Sequence, residues 1–160
     1  MLNFLIFSQE TLVMQIIYVD MDDVLCDYTQ AYQEAIKRTP AMKYPQSQFG
    51  FFVNLQPIEG AIASFQKLIA SPDVEPYILT APSIENPLCY TEKRIWVEQH
   101  LGFEVTNKLI ICSNKGLLRG DKLIDDWTYG RGQENFDGEI VEFGSTNFPS
   151  WKEVNKHLNI

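Results

Sequence analysis

The chain has 160 residues, with 13 Lys plus Arg against 21 Asp plus Glu and a net charge of −8. That length supplies one hydrophobic core and argues against a second domain, and an acidic balance with no Lys/Arg-rich run excludes a protein that grips duplex nucleic acid by neutralising phosphates. Cys26, Cys89 and Cys112 match neither a disulfide framework nor a zinc motif, His100 and His157 have no ligand-like spacing, and no apolar run reaches the roughly 18 residues of a membrane span. A cytoplasmic protein with no membrane partner is expected.

Residues 1–13 (MLNFLIFSQETLV) begin apolar but lack the basic start and cleavage pattern of a signal peptide. They read as an N-terminal extension, with Met14 as the expected start of a single domain over 14–160. Gln15 to Val19 is a short β-branched and aromatic run of the kind buried in a parallel sheet, ending abruptly in acids. Tyr28 to Arg38 repeats its apolar residues with a helical period, and Pro40 stops it. Residues 39–57 have no clean period and carry Tyr44, Phe49, Phe51 and Phe52; together with the preceding helix they form an expected small cap insertion over about 28–57. Pro57 to Ala70 predicts an amphipathic helix, Tyr77 to Leu79 a strand, Thr91 to Leu101 a helix closed by Gly102, and Lys108 to Cys112 a third strand. Strands over Lys122–Ile124 and Glu139–Phe143 follow, then a last helix opened by the capping box Ser150-x-x-Glu153. Strands alternating with amphipathic helices predict an α/β, Rossmann-like domain with a mainly parallel sheet and helices on both faces.

In such sheets ligands bind beyond the carboxyl ends of the strands, and there this sequence is distinctive. The first strand leads to Asp20 and Asp22, the second to Thr80, the third to Lys115, and the fourth to Asp125 and Asp126. Carboxylates converging from two strands repel one another unless a cation lies between them, and oxygen ligands beside a phosphate substrate favour magnesium. A carboxylate attacks phosphorus only when the phosphoryl charge is offset, which the metal, Lys115 and the Thr80 hydroxyl would do. Asp22 would then serve as acid for the leaving oxygen and as base for water.

The run Asp20-Met-Asp-Asp-Val-Leu-Cys-Asp27, with Thr80, Lys115 and Leu-Ile-Asp-Asp126 in that order, resembles the four motifs of the haloacid dehalogenase superfamily. Response-regulator receivers use a similar set with the acid pair first and the lysine last; this chain ends on the acid pair. Leu55-x-Pro-x-x-Gly-Ala61 and Cys89-Tyr-Thr-Glu-Lys-Arg-Ile-Trp-Val-Glu98 extend the likeness to the 5'(3')-deoxyribonucleotidases, from about Gln15 to Phe143. The resemblance implies Asp20 as the phosphorylated nucleophile and Asp22 as acid/base. It implies a metal held by Asp20, the backbone carbonyl of Asp22 and Asp126, with Asp125 close by, and phosphate contacts from Thr80, Ala81, Lys93 and Lys115. It also implies a small phosphorylated substrate, a deoxynucleotide by preference, with no indication of oligomeric state. The chain departs from the pattern in three ways. Asp23 stands where Gly is common, Ala81 where Ser is common, and only about 30 residues separate Asp27 from Gly60, implying a reduced cap. Cap aromatics such as Tyr28, Tyr32 and Phe52 are candidates either for stacking on a base or for a local core. The alternatives are a phosphatase of another small ester or a nucleic-acid end, and a non-catalytic phospho-acceptor or metal-binding module.

Overall fold

The computed structural model describes residues 14–160; the expected extension over 1–13 lies outside the described residues. The apolar run after Met14 forms β1 (Gln15–Val19), buried toward its end because it receives a strand on each side. The chain continues through α1 (Tyr28–Arg38), α2 (Ala61–Ala70), β2 (Val74–Thr80), α3 (Cys89–Leu101), β3 (Leu109–Ile111), β4 (Lys122–Asp125), β5 (Glu139–Glu142) and α4 (Trp151–Leu158). The five strands make one wholly parallel sheet in the order β3-β2-β1-β4-β5.

Several boundaries differ from the expected ones for local reasons. The helix expected from Pro57 starts at Ala61, because Gly60 takes a left-handed φ of 78° and the preceding residues are tied to the loop after β1, Ile58 N–H donating to Leu25 O at 2.9 Å. β2 is longer than expected and runs through Pro76. Its β3 partner begins only at Ile78, so Pro76 lies where that side of β2 is an edge and a missing N–H costs little. α3 starts two residues early, at Cys89, where Asn86 Oδ1 accepts from Leu88 N–H at 2.9 Å.

Right-handed crossovers send the β1-to-β2 and β2-to-β3 connections to one face of the sheet and the later ones to the other. The first face carries the main core: Ile17, Val19, Ile78, Ile124 and Val141 meet Phe65 and Leu68 of α2, Trp96 of α3, and Trp151 and Val154 of α4. The second face holds the smaller cluster of Tyr18, Leu79, Leu123 and Phe136. The connections on that side contain single 3-10 turns, Lys115–Leu117 and Gln133–Asn135, so the helices expected on both faces are α-helices on the first and 3-10 turns on the second.

Residues 28–57 sit beyond the strand ends and are fastened to the core by side-chain bonds. The buried Glu92 carboxylate of α3 accepts from the N–H groups of Gly50 (2.7 Å) and Phe52 (2.9 Å). Trp96 donates its indole N–H to Leu55 O at 2.8 Å, and Asn86 donates its amide to Gln46 O at 2.8 Å. No described helix is long and apolar enough to cross a membrane.

Candidate active site

The strand order reverses between β1 and β4, and the crevice at that switch is where an open α/β sheet takes its ligand. Asp20, immediately after β1, is held there by its N–H bond to Ile124 O at 2.8 Å; Asp125 ends β4. Beyond Asp20 the chain winds into a tight turn in which Leu25 and Cys26 N–H groups both donate to Met21 O at 2.9 Å. Asp23 has φ 56°, the left-handed conformation that glycine adopts most easily. Its carboxylate accepts from Thr29 N–H (2.8 Å) and Thr29 Oγ1 (2.6 Å), so the extra charge is engaged at the start of α1.

Two buried ammonium groups organise the carboxylates. Lys115 Nζ lies 2.9 Å from Asp20 Oδ1 and 2.5 Å from Asp125 Oδ2. Burial pulls the Lys115 pKa down, but Asp20 and Asp125 outweigh it and hold the ammonium above its ordinary range. Lys93, fully buried on α3, donates to Asp22 Oδ2 (2.8 Å), Thr80 Oγ1 (2.7 Å) and Ala81 O (2.8 Å). These three acceptors match its three N–H hydrogens. Because Thr80 Oγ1 accepts from Lys93, the hydroxyl hydrogen of Thr80 stays available to donate elsewhere.

Asp20, Asp125 and Asp126 each offer a carboxylate oxygen, and the three oxygens lie within 4.8 Å of one another. Such crowding is costly without a cation. Burial, then Asp20, push Asp125 up to about 6; burial, then Asp20 and Asp125, push Asp126 up to about 8. Burial likewise raises Asp22, against the opposing pull of Lys93. The buried Asp20 Oδ1 is close to Lys115 yet has no hydrogen bond of acceptable geometry. A buried carboxylate oxygen without a hydrogen bond, two neighbouring carboxyls pushed up by burial and crowding, and an all-oxygen donor set fit a hard divalent cation. Asp125 is steadied from behind: its Oδ1 accepts from Trp127 N–H at 3.0 Å and from the amide of the buried Gln133 at 3.2 Å.

A family model described as "5' nucleotidase, deoxy (Pyrimidine), cytosolic type C protein" matches residues 39–156. The chain belongs to this family. Among nucleotidase relatives, a Vibrio phage KVP40 protein provisionally named a 5'(3')-deoxyribonucleotidase is 36% identical over 146 residues, covering 89% of this chain and 84% of its own length. The human cytosolic-type 5'(3')-deoxyribonucleotidase is 36% identical over 115 residues, 68% of this chain and 51% of that protein, so the chain spans about half of the human enzyme. In fold, the chain is similar to a Bacillus subtilis protein provisionally named HAD-hydrolase YfnB, solved bound to magnesium, with a TM-score of 0.55 at 12% identity over 92% of this chain and all of that one.

In this nucleotidase-family chain a cleft of about 570 Å³ opens over the strand ends. Asp20, Asp22, Ala81, Lys115, Asp125 and Asp126 line it, whereas Thr80 and Lys93 sit behind its wall with no exposed surface. Of the cap aromatics, Tyr28 and Phe52 reach the cleft; Tyr32 and Phe51 pack on Tyr28 at ring distances of 5.8 and 5.5 Å. Tyr44 and Phe49 do not line it, and Phe49 is 88% exposed. Sequence reasoning missed Gln46, Ser83, Trp127, Tyr129, Arg131 and Gln133, all on the cleft wall. For Trp127 and Tyr129 the available signal was their position directly after the acid pair.

Proposed function

We propose that this chain is a magnesium-dependent phosphatase that hydrolyses deoxyribonucleoside monophosphates through a phosphorylated Asp20. The observation that carries this reading is the convergence of Asp20, Asp22, Lys115, Asp125 and Asp126 on one cleft, in a chain of the 5'-nucleotidase family. Asp20 and Asp126, with the backbone carbonyl of Asp22 and with Asp125 beside them, are the groups to hold magnesium, which would offset negative charge where the substrate phosphate meets the carboxylates.

Asp20 supplies an oxygen that attacks phosphorus, and the bond from phosphorus to the ester oxygen breaks. Asp22, its carboxyl raised by burial, gives its proton to the departing oxygen. The ionised Asp22 then takes a proton from the water that attacks phospho-Asp20, releasing phosphate and restoring both carboxyls. Lys115, which lines the cleft, offsets charge on the phosphoryl oxygens, while Lys93 holds Asp22 and Thr80 in place from behind the cleft wall. A cytoplasmic setting belongs to the same reading, supported by the name of the human cytosolic-type relative.

The test is phosphate release from a panel of deoxy- and ribonucleoside monophosphates and sugar phosphates, with magnesium and with chelator. The expected result is magnesium-dependent release favouring deoxynucleotides, reduced by about three orders of magnitude or more in Asp20→Asn. Retained turnover in Asp20→Asn would overturn the mechanism; release from sugar phosphates alone would overturn the substrate.

A further inference from the structure

Two aromatic side chains at the cleft are unexplained by phosphoryl chemistry. Trp127, the residue after Asp126, is 55% exposed, and Tyr129 is 62% exposed; their rings meet edge to face at 5.7 Å, and both line the cleft that holds the carboxylates. They stand on a braced segment. Trp127 N–H is bonded to Asp125, Arg131 O accepts from Lys115 N–H at 2.6 Å, and Arg131 N–H donates to the buried Gln133 side chain at 2.8 Å. Gly132, at φ 84°, packs so tightly that a Cβ there would meet Asn114 Oδ1 at 1.8 Å. The pair is therefore displayed toward the cleft by a rigid connection, with apolar ring surface open to solvent.

A second, independent feature lies on the cap side of the same cleft. Gln46 lines it, and its side-chain oxygen Oε1 is buried without a hydrogen-bond partner, although the backbone oxygen of the same residue is satisfied by Asn86. A buried acceptor without a donor is costly unless a ligand or water supplies one. Flat stacking surface beside the phosphate end, with an amide waiting for an N–H or O–H, is the chemistry of nucleobase recognition.

We infer that the base of the mononucleotide is held at the Trp127–Tyr129 pair and read by the Gln46 amide, so that the β4–β5 connection supplies base contacts in addition to any from the small cap. The inference rests on the nucleotidase reading for its substrate, but it predicts binding that is measurable without turnover. Trp96 and Trp151 are buried, leaving Trp127 as the indole that a stacked base would quench. In magnesium-loaded Asp20→Asn protein, deoxynucleoside monophosphates should quench tryptophan fluorescence and deoxyribose 5-phosphate should not. Trp127→Phe should lose the quench while keeping nucleotide affinity within about twofold, and Trp127→Ala should weaken nucleotide binding about tenfold. In the active background Trp127→Ala should lower the nucleotide-to-sugar-phosphate ratio of kcat/KM by about tenfold. Gln46→Met should narrow the spread of affinities among the four bases. Equal quenching by sugar phosphate, or nucleotide affinity unmoved by Trp127→Ala, overturns the assignment. Quenching and its loss in a protein that hydrolyses nothing would uphold the base site and sink the phosphatase; hydrolysis of nucleotides indifferent to Trp127→Ala would do the reverse.

Discussion

Lys93 is a buried cation bonded to Asp22, Thr80 and Ala81 and has no surface on the cleft itself. Replacing it with Met removes one charge and strands the carboxylate of Asp22 and the hydroxyl of Thr80. Breaking a buried pair is strongly destabilising, but Asp22 retains 28% of its side-chain exposure, so a loss on the order of 2 kcal/mol is expected in denaturant titration. Burial raises Asp22 and Lys93 opposes that rise. Without Lys93 the carboxyl should hold its proton to still higher pH, moving the alkaline limb of the kcat/KM profile upward; an unshifted limb would remove Lys93 from the acid/base assembly. At this scale the sequence was readable where chemistry abuts an apolar run: Asp20, Asp22, Thr80, Lys115, Asp125 and Asp126 all follow predicted strands and do meet. Gln133 and Gln46 were not readable, because a polar residue in a loop looks the same whether it faces solvent or braces a carboxylate.

The loop from β1 to α1 turns on Asp23. An aspartate in the left-handed region is strained by roughly 1 kcal/mol relative to glycine, yet its bonds to Thr29 secure the start of the helix, a contribution of about the same size. Asp23→Gly should therefore leave stability within about 1 kcal/mol of the parent, whereas Asp23→Ala keeps the strain, loses the bonds and should cost about 1–2 kcal/mol more; equal midpoints for the two variants would refute this balance. Elements were recovered from periodicity, and their ends were not. Pro76 hid the first half of β2 because proline counts against a strand until one knows that β3 begins two residues later. The start of α2 was set by Gly60 and by the tie from Ile58 to Leu25, contacts that no local pattern encodes.

Taken whole, the molecule is acidic and concentrates five aspartates at one cleft, Asp20, Asp22, Asp23, Asp125 and Asp126, against the ammonium groups of Lys93 and Lys115. Asp126 is held at about 8 against an ordinary 3.8. In metal-free protein the folded state thus binds more protons than the unfolded one across that window, and stability falls as pH rises through it. Magnesium should displace that proton and relieve the crowding, so its gain in Tm should be larger at pH 8 than at pH 5.5; equal gains at both would place the ion elsewhere. A mainly parallel sheet with ligand chemistry at its carboxyl end was expected from the alternation of strands and helices, whereas the strand order was not legible. The 3-10 cover of the second face reflects a short connection after β3 and the glycines Gly130, Gly132 and Gly138 after β4. The Glu92 clamp bears on the timing of the reaction. With two cap amides bonded to one buried carboxylate of α3, the cap is expected to stay docked through turnover, as a standing aperture rather than a shutter. Thickening the solvent with sucrose should accordingly leave kcat unchanged; a kcat that falls in proportion to viscosity, in the parent but not in a Glu92→Gln variant with a loosened cap, would mean that opening of the cap sets the pace.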